Sequence, residues 1–134
     1  MKHLAVPFDV VSRNNRMYTR DSFNGFVQPK QMFITLDYGD KHPYVELDNV
    51  IGKVQHCVVT DQGVKVEWEL LDTPKGIEVK NALHNMKKED FVIRPACTAS
   101  ISIVDGVQVI TNADILSFAL LPKERDSFFF EPKE

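Results

Sequence analysis

Apolar residues in this chain fall mostly at every second position, the period of a half-buried strand, and only one stretch shifts to a helical period. Residues 4 to 11 read as a first strand. Ser12-Arg13-Asn14-Asn15-Arg16 carries turn chemistry, because asparagine tolerates the left-handed region. Thr19-Arg20-Asp21-Ser22-Phe23 opens a short N-terminal helix, with Thr19 as N-cap and acidic Asp21 in the first turn, and Pro29 ends it. Residues 32 to 36 form a short strand, followed by a polar loop from Asp37 to Pro43. The cleanest alternation sets Val64, Val66, Trp68 and Leu70 against Lys65, Glu67 and Glu69. With residues 50 to 60 and the connector Asp61-Gln62-Gly63, it predicts a hairpin of two long strands.

The helical stretch starts at Asp72-Thr73-Pro74, where Asp72 or Thr73 can cap and proline suits the first turn. The spacing predicts one principal helix over residues 73 to 86, with Ile77, Val79, Ala82, Leu83 and Met86 as its apolar stripe. Residues 91 to 104 are apolar enough for a central strand, and Asp105-Gly106 is a strong two-residue hairpin turn. Residues 107 to 110 return, and residues 115 to 121 make a last strand. The pattern predicts a β-rich α+β domain over residues 1 to 121, with six to eight strands around the principal helix. A charged tail, residues 122 to 134, carries the cluster Phe128-Phe129-Phe130.

Composition adds limits. A chain of 134 residues holds one domain, and 43% hydrophobic residues with nine phenylalanines supply a core. The net charge is −3, with lysine and arginine scattered among the acids, so nucleic-acid binding has no electrostatic support. No apolar run approaches the roughly 20 residues of a membrane helix, and the stretch from Met1 to Phe8 is too short in its apolar part for a signal peptide. Cys57 and Cys97 read as small half-buried hydrophobes in a reducing compartment. No zinc spacing, phosphate loop or dinucleotide glycine pattern is present, so no metal and no cofactor are expected.

Five phrases in order resemble those of the head-maturation (prohead) proteases of tailed phages. They are Ser12-Arg13-Asn14-Asn15-Arg16-Met17-Tyr18; Gly39-Asp40-Lys41-His42-Pro43; Asp48-Asn49-Val50-Ile51-Gly52-Lys53-Val54; Leu71-Asp72-Thr73-Pro74-Lys75-Gly76 with Val79-Lys80-Asn81-Ala82-Leu83; and Ala113-Asp114-Ile115-Leu116-Ser117-Phe118-Ala119-Leu120-Leu121-Pro122. Together they span most of the chain. The resemblance implies a β-barrel related to herpesvirus assemblin, and a serine peptidase whose nucleophile is served by a histidine, here His42. Such a serine needs a positioned imidazole and backbone donors for the oxyanion.

The family's nucleophile lies in a phrase on the strand after the main helix, which here becomes Phe91-Val92-Ile93-Arg94-Pro95-Ala96-Cys97-Thr98. The resemblance puts Arg94 and Pro95 at the two serine positions. A guanidinium stays protonated and cannot attack, and Pro95 lacks a backbone donor. Three readings stay open: an inactive relative with a structural or assembly role; an active peptidase using Ser100, Thr98 or Cys97 instead; or an unrelated β domain. Residues 94, 96, 98 and 100 share a strand face, but Ser100 would stand about 20 Å from Arg94. His42 is either the retained catalytic residue or a vestige held for folding. His3, His56 and His84 read as packed or surface residues, while Asp40 or Asp48 could orient an imidazole.

The leading expectation is a phage head or virion assembly protein: a pseudo-protease serving as a minor capsid, decoration or scaffold-associated part. The alternative is an active maturation peptidase that cleaves scaffold and head proteins. A host-directed early protein is a third class. Expected partners are capsid, scaffold or other virion proteins, with Phe128, Phe129 and Phe130 as a contact segment. Homo-oligomerisation stays open. The expected location is the virion, or the host cytoplasm during assembly.

Overall fold

The computed structural model describes residues 1 to 36 and 49 to 123. Seven strands in these residues make one sheet: β1 (Lys2–Pro7), β2 (Arg16–Tyr18), β3 (Phe33–Leu36), β4 (Val50–Val59), β5 (Gly63–Leu70), β6 (Phe91–Val104) and β7 (Val107–Pro122). One α-helix, α1 (Pro74–Leu83), lies against β4 and β5. The strand order is β1-β5-β4-β3-β7, with β6 on one edge of β7. The other edge of β7 is shared by β2, parallel at Gln108 to Ile110, and by β3, parallel at Phe118 to Leu120. No helix among the described residues is long and apolar enough to cross a membrane.

The β4–β5 hairpin follows its alternation closely. Val64, Val66 and Trp68 are essentially sealed from water, whereas Lys65 and Glu69 are exposed. Elsewhere the ladders slip by one residue. The registers leave Ala5 of β1, Ile51 and Gln55 of β4, and Thr111 and Leu116 of β7 as extra residues. Each bulge bends its strand and increases the local twist. The sheet therefore curls into a half-barrel around Trp68, Phe118, Ile34, Ile51 and Ile93. Its two ends, β1 and β6, come together without a ladder among the described residues.

Several expected boundaries shift. Residues 107 to 121 form one strand rather than two, because Asn112 and Asp114 point outward around buried Ala113 while β6 pairs across the whole length. The strand from residue 91 is not central: among the described residues it pairs only with β7, and its apolar outer half is exposed. The first strand ends at Pro7 instead of residue 11, where Asp9 takes a positive φ of 62°. The expected N-terminal helix is a 3₁₀ turn, Arg20–Phe23, preceded by Thr19. The principal helix ends at Leu83, three residues before Met86, and tightens through Asn85 N–H to Ala82 O and Met86 N–H to Leu83 O. Its packed face is Gly76, Val79 and Leu83; Ile77, at 47% exposure, and Ala82 face water. Thr73 caps it by accepting from Gly76 N–H at 3.1 Å.

Two contacts fix β1. Gly63 opens β5 at φ 155°, and a Cβ there would run into the Val6 carbonyl and the Leu4 side chain. His3 packs between Trp68 and Phe91, with ring centroids 6.0 and 5.4 Å away. Its Nδ1 accepts from the Trp68 indole N–H at 3.0 Å, which leaves the ring proton on Nε2, a buried atom with no partner among the described residues. Burial, reinforced by Lys88, the N-terminal ammonium and Arg94, lowers the His3 pKa from 6.5 to about 4.

Replacing Gly63 with alanine is expected to lower stability by about 2 kcal/mol or more, read as a lower urea midpoint, since the added carbon must push β1 off β5. The His3 shift also sets a pH dependence. The unfolded chain takes up its proton first, so wild type loses stability as pH falls from 6.5 to about 4. His3→Gln keeps an acceptor for Trp68 but cannot titrate. Parallel urea titrations should therefore show wild type losing more stability than the variant across that window.

Candidate functional site

The segment of interest is the first half of β6, where Phe91, Ile93 and Pro95 face the core and Val92, Arg94 and Ala96 are half-buried. Pro95 contributes no N–H, and its register partner is Phe118, which is wholly buried. Arg94 reaches across the opening between the sheet's ends. Its Nη1 donates to Ala5 O at 3.0 Å and to Ile93 O at 3.3 Å. Ala5 is the bulged residue of β1, fully buried and without a register partner on β5, and the guanidinium gives its carbonyl a donor. Arg94 therefore sits as a strut between β6 and β1.

Both bulges near this segment add their residue to β7, so β6 itself keeps an unbroken alternation. Thr98 lies opposite Asp114 and Ser100 opposite Asn112, both on the exposed half of the strand. Neither hydroxyl hydrogen-bonds an imidazole among the described residues. A serine or threonine without such a base is an ordinary alcohol. Cys97 sits 3.9 Å from the buried Tyr18 hydroxyl, and burial pushes its thiol pKa up, away from the thiolate. Burial likewise raises Cys57, to about 11.

His3 is committed to Trp68, His56 is exposed on β4, and His84 is exposed at the end of α1. The described residues hold no cluster of histidine, cysteine or carboxylate groups that could bind a metal. A hollow of about 560 Å³ between α1 and β5 is lined by Trp68, Leu70, Ile77 and Leu83, and neither Arg94, Thr98 nor Ser100 lines it. His42, with Asp40 and Asp48, and the cluster Phe128, Phe129 and Phe130 lie outside the described residues.

Sequence reasoning passed over two features here. Ser117, across from Ala96, is the hydroxyl nearest in register to Pro95, yet it is only 2% exposed and closed to a substrate. The bond from Arg94 to Ala5 joins residues 89 apart in sequence. Its one local signal was a charged residue inside an otherwise apolar strand.

No family model matches the chain, and no curated protein matches it in sequence. Among solved structures, it superposes on the bacteriophage T4 capsid assembly protease, gp21, with a TM-score of 0.70 and 13% sequence identity. The superposition covers 89% of this chain and 79% of that one. The curled sheet with its helix thus superposes on the fold of a phage capsid-assembly protease, and the chain has the prohead-protease fold.

Proposed function

We propose that this protein acts in tailed-phage head assembly as an inactive member of the protease fold, serving a structural role among capsid or scaffold proteins. The observation that carries this reading is the use made of Arg94. The sequence resemblance aligns Arg94 and Pro95 with the family's serines. At that place the chain has a guanidinium engaged with the Ala5 carbonyl and a buried proline. Neither residue can form an acyl intermediate, and a residue that ties β6 to β1 serves the fold. Thr98 and Ser100 lie farther along an exposed strand with no base bonded to them among the described residues. In this reading His42 is a vestige, and the Phe128 to Phe130 cluster contacts the shell or the scaffold.

The test is incubation of the protein with the scaffold and major capsid proteins of its own phage, comparing wild type with His42→Ala. The expected outcome is no cleavage from either, with co-sedimentation of both with capsid shells. Cleavage that disappears in His42→Ala would overturn the reading in favour of an active peptidase. Arg94→Ala should lower unfolding free energy by about 2 kcal/mol, because the buried Ala5 carbonyl loses the donor that ties β6 to β1. Denaturant titration checks that figure.

A further inference from the structure

We infer that the outer edge of β6, from Ser100 to Val104, is a self-association surface on which the same strand of a second copy pairs antiparallel about a two-fold axis. The hairpin carrying this edge is firmly held on its other side. Asn15, at φ 62°, donates from Nδ2 to Gly106 O at 2.6 Å, and its carbonyl accepts from Gln108 N–H at 3.0 Å. Arg16 Nε donates to Gln108 Oε1 at 3.1 Å, and β2 pairs with β7 at residues 108 to 110. The turn is tight, with Asp105 and Gly106 both at positive φ. β6 is therefore presented as a preformed strand, and its outer edge from Ala96 onward has no strand partner among the described residues.

Soluble proteins usually blunt such an edge with lysine, proline or an inward charge. Residues 96 to 104, Ala-Cys-Thr-Ala-Ser-Ile-Ser-Ile-Val, hold no charge and no proline. Ile101, Ile103 and Val104 are 45%, 76% and 53% exposed. This composition selects the occupant. An uncharged strand meets its own copy without like-charge repulsion, and antiparallel pairing about Ser102 sets Ile101 of each copy opposite Ile103 of the other. The four isoleucines then form one cluster on one face, and both edges satisfy their backbone groups. Pairing of residues 100 to 104 in each copy buries less than the roughly 1,200–2,000 Å² of stable complexes, so the association is weak and transient. The affinity expected is micromolar.

The test uses the full chain in sedimentation velocity over a concentration series, with Ile103→Lys and Ile103→Glu. Ile103 is largely exposed, so both variants should fold, and circular dichroism checks this. Wild type should dimerise in the micromolar range. Each variant alone should weaken dimerisation at least about tenfold, because the 103 positions are diagonal neighbours and carry like charges. An equimolar mixture of the two should associate again, since lysine then faces glutamate. A wild type that stays monomeric at every attainable concentration overturns the inference, as does self-association that Ile103→Lys leaves unchanged. Hydrogen exchange covers the remaining alternative: a monomer whose β6 amides are protected would have that edge covered by another segment of its own chain, which also overturns it.

Discussion

At the bulge in β1 the buried residue Ala5 has no register partner on β5, and its carbonyl accepts a hydrogen bond from the Arg94 guanidinium at the far end of the sheet. A buried carbonyl left without a donor costs about 1–3 kcal/mol, so bulge and arginine depend on each other. The bulge helps bend the sheet until its ends meet, and the arginine makes the resulting gap tolerable. Further bulges in β4 and β7 spread the bend. The reason for bending is economy of layers. Among the described residues, one sheet with a single ten-residue helix has no second layer broad enough to cover it, so it buries Trp68 and Phe118 by curving around them.

That arrangement bears on chemistry through position. A peptidase of this type needs a nucleophile, an imidazole within hydrogen-bond reach and donors for the oxyanion, all on a rigid frame. The frame is present here. On β6, a charged side chain that closes the barrel stands where the resemblance aligns a reactive hydroxyl, and a proline beside it withholds an N–H. The proposed loss of activity is compatible with the fold because core packing does not require a serine.

The phrase Ser12 to Tyr18 has a role that chemistry alone would not suggest. Asn15 and Arg16 grip the β6–β7 hairpin, and Tyr18 is buried among Phe23 and Cys97. A turn near the start of the chain thereby anchors a hairpin some 90 residues later. The same grip leaves the opposite edge of the hairpin extended and without a strand partner among the described residues, so its uncharged isoleucines sit on a rigid surface.

Local signals were enough for much of this fold. The alternation around Trp68, the Asp105-Gly106 turn, the Thr73 cap and the left-handed Asn15 depend on residues close in sequence, where conformational preference and periodicity act directly. The order of short phrases pointed to the prohead-protease fold, which the superposition on the T4 protease shares. Tertiary structure decided what periodicity cannot express. Apolar content in β6 suggested a central strand, although an edge strand and a buried strand share the same composition. The polar residues Thr111, Asn112 and Asp114 suggested a break in β7, although pairing with β6 carries the strand through. The apolar stripe of α1 was assigned too broadly, because only contact with β4 and β5 selects Val79 over Ile77. Likewise the partner of Arg94 is the buried carbonyl of a bulged residue in another strand. A bulge is a one-residue slip between two strands, and no single stretch of sequence contains both of them.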